Sequence, residues 1–294
     1  MKSFLDLTRE VIETGSWQQN RTGIRTKFIP GGMLKFDLTK GFPIITTRKA
    51  PWRSSVAEMI GFLRGYTNAK DFESLGCKFW GANANENKTW LSSRYRKGQD
   101  DLGEIYGHFW RRWVGDDGAV HDQVINALNT LHNDPTNRRI IVSGWKADAI
   151  RQGRGALPPC HIAWHLMADV ERQELSLCMW QRSCDMMLGI GGGNITGYAF
   201  LLEWVARLTG YKPKWLVMHL DDVHIYENHL DGALQMLERE PKSLPVLKFD
   251  SGLAASYKHS KTEFDPYKIT EINPSQVSLE GYDPHPAIKF DMAV

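Results

Sequence analysis

Cysteine is scarce in this 294-residue chain: four residues, Cys77, Cys160, Cys178 and Cys184. They show no CxxC spacing and no accompanying pair of histidines, which disfavours a structural zinc site and a disulfide framework. No apolar run is long enough to span a bilayer. The N-terminus, Met1-Lys2-Ser3-Phe4-Leu5-Asp6, carries charge within its apolar periodicity and has no signal-peptide core. These absences point to a reduced, cytoplasmic protein. Charge of one sign is also lacking. Lys and Arg number 36 against 34 Asp and Glu, and the resulting +2 is too small to argue for nucleic acid or membrane as partner. Neither an internal repeat nor a linker interrupts the chain, so residues 1–294 read as one domain.

What remains is an ordinary globular composition, 42% hydrophobic and 24% charged, with an unusual supply of tryptophan at eleven residues. Such rings offer flat surfaces to a ring-shaped ligand or simply pack in a core. Phe4, Leu7 and Val11 recur at helical spacing, which predicts a helix over 2–14 ending at Gly15. Strands are expected at 27–38 and 42–47. Val56, Met59, Ile60 and Leu63 mark a helix stopping near Gly65. Further on, a helix is expected around Val124, Leu128 and Leu131, a strand over 137–145, and an apolar helix over 195–209 ending at Gly210. A strand at 214–220 follows, and residues 251–280 are polar and loop-rich.

The stretch with most chemical content is Ala156-Leu157-Pro158-Pro159-Cys160-His161. Two prolines hold the backbone extended and deny helix just before a lone cysteine. A strand over 162–170 follows and pairs in an antiparallel hairpin with Leu175–Trp180. A thiol at the mouth of a strand is a candidate nucleophile if positive charge favours its thiolate. A small buried hydrophobe is the alternative reading of the same residue.

Several polar residues could complete such a site. Arg21, in the loop Asn20-Arg21-Thr22-Gly23, fits an anion clamp or a solvated turn. Glu58 lies within an apolar helical pattern, and a buried carboxylate with a shifted pKa suits proton handling. Tyr106 sits between glycines, and Phe79–Asn87 reads as loop. Arg138 and Arg139 lead a strand and could both turn toward one anion. The cluster Leu188-Gly189-Ile190-Gly191-Gly192-Gly193-Asn194 fails the dinucleotide fingerprint at its sixth position. It reads as a loop that lets backbone approach a ligand. Asn194 supplies a donor and an acceptor, enough to read a pyrimidine edge. His224 and Tyr226, two apart in an extended segment, suit a sugar hydroxyl, and the His/Asp spacing there fits no standard metal site.

Taken together the motifs RTG at 21–23, GFPIITT at 41–47, DPTNRRIIVSGW at 134–145, LPPCH at 157–161, QRSCD at 181–185 and EGYDPHPAIK at 280–289 resemble thymidylate synthase over nearly the whole length. The resemblance implies an α+β fold, a twisted mixed sheet with surrounding helices, packing sheet-to-sheet in a homodimer. It implies that Cys160 adds to carbon 6 of a pyrimidine nucleotide. Arg21, Arg182 and Ser183 would hold the phosphate, with Arg138 and Arg139 reaching across from the second subunit. Asn194 would read the base and His224 and Tyr226 the sugar. Glu58, Tyr106 and His161 would organise a water and proton network. Asp185, Trp80, Gly189 and the C-terminal Ala293 would meet the folate, methylenetetrahydrofolate being the one-carbon donor.

The sequence departs from the family pattern on the folate side. The usual Pro-Phe before the base-reading Asn is replaced by Ile190-Gly191-Gly192-Gly193, one residue longer. Asn83 stands for a second tryptophan, Leu220-Asp221 for a glycine pair, and His165 for a glutamine. A wetter folate pocket is what a hydroxymethylase needs, because water must reach the exocyclic methylene. The expectation is therefore a phage-type or biosynthetic hydroxymethylase acting on dUMP. Reductive methylation of dUMP to dTMP is the alternative, followed by action on cytosine nucleotides, since Asp221 or His165 could partner an amino group. Other classes are a nucleotide- or RNA-binding regulator, which needs no nucleophile, and a thiol hydrolase using Cys160 and His161. Neighbours on a strand diverge, which disfavours the latter.

Overall fold

The computed structural model describes residues 1–256 and 264–292, without the side chains of 254–256. Six strands form its main sheet: β1 Ser16–Gln18, β2 Thr26–Asp37, β3 Ile141–Ser143, β4 His161–Asp169, β5 Glu174–Asp185 and β6 Lys212–Tyr226. Their order is β1-β2-β6-β5-β4-β3, with β5 and β6 parallel and every other pair antiparallel. Four helices matter for the site: α1 Lys2–Thr14, α2 Trp52–Leu63, α3 Tyr106–Arg111 and α4 Ile195–Thr209. The mixed α+β architecture expected from the sequence is what the chain adopts.

The single parallel pair explains where chemistry can collect. A parallel connection needs a crossover, and here it runs from β5 through residues 186–194 and α4 back to β6. Ligands of such units gather beyond the carboxyl ends of the strands. The register puts Ser183 opposite Asp222 and Asp185 opposite His224 at that edge. Antiparallel β4 starts there with His161 opposite Gln181, and β2 starts there with Thr26 opposite Tyr226. Thus four strand ends meet at one rim, and the sequence motifs lie on them.

Helix α4 is buried almost all round because it sits between the sheet and α2. Glycine sets one close approach: a Cβ on Gly107 of α3 would stand 2.6 Å from the Phe62 carbonyl oxygen of α2. That contact is what brings Tyr106 beneath the rim.

Five local expectations are corrected. Residues 42–47 are buried, as a strand's would be, but bond to loops instead: Phe42 N donates to Pro245 O and His285 N to Thr46 O. Residues 81–85 of the expected loop form a short helix, Gly81–Asn85. The strand expected over 137–145 is only Ile141–Ser143, because Arg139 N is held by the Asn137 side chain in a turn. Within 251–280 lie short elements, including the strand Val277–Glu280. The strand expected at 214–220 extends to Lys212–Tyr226.

Candidate active site

A cleft of about 760 Å³ opens at this rim, and Arg21, Cys160, Arg182, Ser183, His224 and Tyr226 all line it. Cys160 is half-buried at the end of the two-proline segment. Its amide donates to the Tyr106 hydroxyl at 2.9 Å, and its carbonyl accepts from Arg182 N at 2.9 Å. The carbonyls of Pro158 and Pro159 lie before the strand begins and have no ladder partner. Arg182 satisfies both, donating at 3.1 and 3.0 Å, while its guanidinium lies over the Trp145 ring. The backbone of Cys160 is therefore fixed from below by a tyrosine and from the side by an arginine.

Beneath Cys160 lies a buried polar group set among rings. Glu58 keeps slight access to solvent but is surrounded by protein, and burial pushes its carboxyl up to about 7. The Trp80 indole N–H approaches that carboxylate and pulls the other way, short of good hydrogen-bond geometry. Burial lowers His161 to about 4, with the Asn194 side chain opposing, so the imidazole is neutral at physiological pH. Burial also raises the Tyr106 and Tyr198 hydroxyls, which stay protonated. The His161 ring packs on both, with centroids 5.0 Å from Tyr106 and 5.3 Å from Tyr198. Three buried polar atoms here, Trp80 Nε1, His161 Nδ1 and Tyr198 Oη, have no protein partner, so solvent or substrate must satisfy them.

The glycine cluster is not an open loop. Residues Met186–Asn194 form a π-helix that runs into α4, with Ile195 N donating to Ile190 O, five residues back. A π-turn is how a helix absorbs one extra residue, and it is often found at functional sites. Asp185 caps the segment, its carboxylate accepting from Met187 N at 2.9 Å and Leu188 N at 3.2 Å. Gly191 is needed for packing, since a Cβ there would meet Ile45 Cδ1 at 2.6 Å and Phe4 Cζ at 2.8 Å. Gly191, Gly192 and Gly193 are all buried. Ile190–Gly193 are thus closed off by protein, which removes the physical ground for reading them as a water entrance.

Asn194 emerges at the end of this segment, its Oδ1 accepting from Gln181 Nε2 at 3.1 Å. On β6, His224 Nδ1 lies 2.9 Å from Asp222 Oδ1. Burial of that ring alone lowers its pKa, but the Asp222 and Asp185 carboxylates outweigh it and the net shift is upward. Tyr226 packs edge-on to His224 with centroids 5.4 Å apart.

The structure thus gathers Cys160, Glu58, Tyr106, His161, Asp185, Arg21, Arg182, Ser183, Asn194, His224 and Tyr226 at one rim. Trp80 is only 5% exposed and lies among Phe62, Phe72 and Tyr106 under Glu58. Gly189 is half-buried beside Asp185 and Asn194. Arg138 and Arg139 are exposed and do not line this chain's own cleft. Ala293 lies outside the described residues.

A model of the family described as thymidylate synthase matches residues 2–294. The chain belongs to the thymidylate synthase family. It is 43% identical over 328 aligned residues to a thymidylate synthase of Pseudomonas putida, with both chains fully covered. Over the same length it is 40% identical to one from Pseudomonas syringae pv. tomato and 39% to one from Bordetella parapertussis. As a thymidylate synthase family member, the protein is an enzyme of the C5-methyltransferase kind. The preferred hydroxymethylase reading gains no support here, since these relatives are named as ordinary synthases and the altered loop is sealed.

Three contributors at this thymidylate synthase-like site escaped the sequence reading. Gln181 positions Asn194, and its place inside QRSCD was a signal that was not used. Tyr198 is hidden in the most apolar helix and carried no signal. Arg48, 4% exposed, donates to Met187 O under the π-helix and lies over the Phe290 ring. No helix among the described residues is long and apolar enough to cross a membrane.

Proposed function

We propose that this enzyme transfers a one-carbon unit from methylenetetrahydrofolate to carbon 5 of dUMP and reduces it to a methyl group, giving dTMP and dihydrofolate. The observation that carries the reading is Cys160 on the wall of a cleft lined by arginines, its amide bonded to Tyr106, with the enclosed Glu58 carboxyl, raised to about 7, behind that tyrosine. In this reading the Cys160 sulfur adds to carbon 6, leaving carbon 5 nucleophilic toward the folate's methylene. Glu58, raised to about 7, can hold a proton at neutral pH and exchange it with a water at the pyrimidine carbonyl. Removal of the carbon-5 proton and loss of the folate leave an exocyclic methylene. Hydride from the folate then makes the methyl group, and Cys160 departs. Arg21, Arg182 and Ser183 hold the phosphate, and His224 and Tyr226 the sugar hydroxyl. Asp185 and Gly189 form the folate wall. Trp80 supports it from below.

Uracil is favoured because Gln181 engages one lone pair of Asn194 Oδ1. That leaves Nδ2 to donate to a carbonyl and the second lone pair to accept from the ring N–H. Cytosine presents an amino group and an unprotonated nitrogen at those positions. The closed π-helix favours hydride over water as the quenching agent.

Homodimer formation belongs to the same proposal. One face of the sheet carries a row running Ile141, His165, Cys178, Val217, Lys35, with Met33 beside it. Ile141 is 47% exposed and Met33 59%. A part-exposed sheet face of this kind, mixing apolar side chains with His165 and Lys35, fits a second copy, which would deliver Arg138 and Arg139 to this chain's phosphate end. Incubation with dUMP and methylenetetrahydrofolate, followed by mass analysis, tests the chemistry. A product heavier by a methyl group with dihydrofolate released supports it, and a hydroxymethyl product overturns it. Mixing Cys160→Ala protein with an Arg138→Ala, Arg139→Ala double variant tests the pairing. Recovered activity supports a shared site, and none contradicts it.

A further inference from the structure

The cleft extends past the expected nucleotide contacts into an arm built by residues 87–95 and 152–155. This segment is tied to the nucleophile's own loop, since Asn87 Nδ2 donates to Ala156 O at 2.7 Å and Ser93 Oγ to Gly153 O at 3.3 Å. At its tip Arg94 is held rather than loose. Its guanidinium donates to the Tyr95 hydroxyl at 2.7 Å and lies over the Tyr95 ring. Tyr95 in turn donates to Gln152 Oε1 at 3.0 Å, which also accepts from Arg154 Nε at 3.0 Å. Only one Arg94 nitrogen is engaged by this chain of bonds, and a guanidinium has five N–H groups. Arg94 has no carboxylate partner among the described residues, and the one carboxylate lining the cleft, Asp222, is held by His224. The wall therefore sets three arginines, Arg21, Arg94 and Arg182, against one engaged aspartate.

We infer that Arg94 is a third arginine of this chain serving the nucleotide's phosphate end, capturing the dianion as it enters the cleft. The inference rests on the reading that the cleft takes a pyrimidine nucleoside monophosphate. A side chain presented in water at a cleft mouth acts through its field more than through a buried contact, so its effect must depend on ligand charge and on salt. Screening shortens from about 30 Å at 0.01 M salt to about 3 Å at 1 M.

The test is calorimetric titration of the full-length protein with dUMP and with deoxyuridine, which lacks the phosphate, at low and high salt. In low salt, Arg94→Ala should weaken dUMP binding about threefold and Arg94→Glu about tenfold, in line with the small worth of exposed charges. Both gaps should shrink at high salt, deoxyuridine binding should not change, and Arg94→Lys should recover most of the loss. Equal dUMP affinity in wild type and Arg94→Glu at low salt overturns the inference. So does an equal loss for deoxyuridine, which would mean that Arg94 merely props the arm. If wild-type protein fails to bind dUMP, the substrate reading fails instead, and the same variant series is read with inorganic phosphate.

Discussion

At the outer end of the cleft Arg21 and Arg94 hold their charges at the surface, and Arg182 is only half-buried against the proline carbonyls. At the inner end Glu58, His161, Tyr106 and Tyr198 are enclosed by Phe62, Trp80 and one another. The first arrangement suits recognition of an anion that arrives with its own charge, because water-facing guanidiniums keep their donors available. The second suits proton movement, because burial drives a carboxyl and an imidazole toward their neutral forms. Cys160 stands at the boundary. Binding and chemistry should therefore separate when each end is altered alone.

The strongest separation is expected at that boundary. Cys160→Ala should lower kcat by about 10⁴-fold or more, since in the proposed reaction it removes the nucleophile and leaves only positioning. The dissociation constant for dUMP should stay within about threefold, because the phosphate end is untouched. Parallel assays of dihydrofolate formation and nucleotide binding check both. Lost binding would mean the thiol also holds the nucleotide.

Next in size is Glu58→Gln. Loss of Glu58 in its proposed acid–base role should cost about 10²- to 10³-fold in kcat, with little change in KM for dUMP. Stability should respond with a defined sign. Glu58 keeps its proton from 4.5 to about 7, where the unfolded chain has released it, so its term falls as pH rises through that window and stays lower above it. His161, lowered from 6.5 to about 4, behaves oppositely: its term falls as pH drops through that range. Each amounts to about 3 kcal/mol, and between 4.5 and 6.5 they oppose. Glu58→Gln should therefore unmask stability that rises with pH there, and His161→Asn stability that falls. Denaturant melts from pH 4.5 to 7 check the slopes. Parallel curves for both variants would break the argument.

How much of this was readable beforehand differs between the two ends. Outer-end residues sit in short motifs whose chemistry is local, so Arg21, Arg182 and Ser183 could be named from sequence. Helix α1 was readable too, because Phe4, Leu7 and Val11 repeat on one face. Inner-end properties are collective. Glu58 could be suspected from its apolar neighbours, but its shift depends on rings brought from α3 and from residue 80. The four-glycine stretch misled because glycine usually marks a loop, whereas here it lets a π-helix pack against Ile45 and Phe4. Residues 42–47 misled because burial alone does not supply a ladder partner. Arg138 and Arg139 belong, in the proposed pairing, to a surface one chain cannot reveal.

That packing yields a smaller prediction. Gly191→Ala places a methyl group against Ile45, Phe4 and the Met186 carbonyl, which must shift. A loss of about 1–3 kcal/mol is expected from overpacking. Activity should fall with it, because Asp185 and Asn194 bracket the segment. Gly192→Ala is the control, since its Cβ would meet only Met187 O, at 3.3 Å. Equal melting temperatures for the two variants would contradict a closed, tightly packed insertion.

The smallest effect concerns the proposed sugar contact on β6, where the outer end borrows the inner end's device of tuning a titrating group. His224 is raised by Asp222 and Asp185 against the lowering effect of its own burial. A histidine raised on folding contributes stability that is present below its unfolded pKa and is lost as pH rises through the folded value. Asp222→Asn removes the hydrogen-bonded carboxylate, so burial should then dominate and the imidazole should titrate lower than in wild type. Proton NMR of the His224 ring across pH 5 to 9 reads this directly. KM for dUMP should rise by about two- to fivefold, as expected for a ring that keeps its place and loses one orienting partner. An unchanged titration would mean that Asp185, across the strand pair, rather than Asp222, sets the charge of this histidine. The outer end would then depend on the proposed folate wall for its ionisation, and the two ends would be coupled through a single carboxylate.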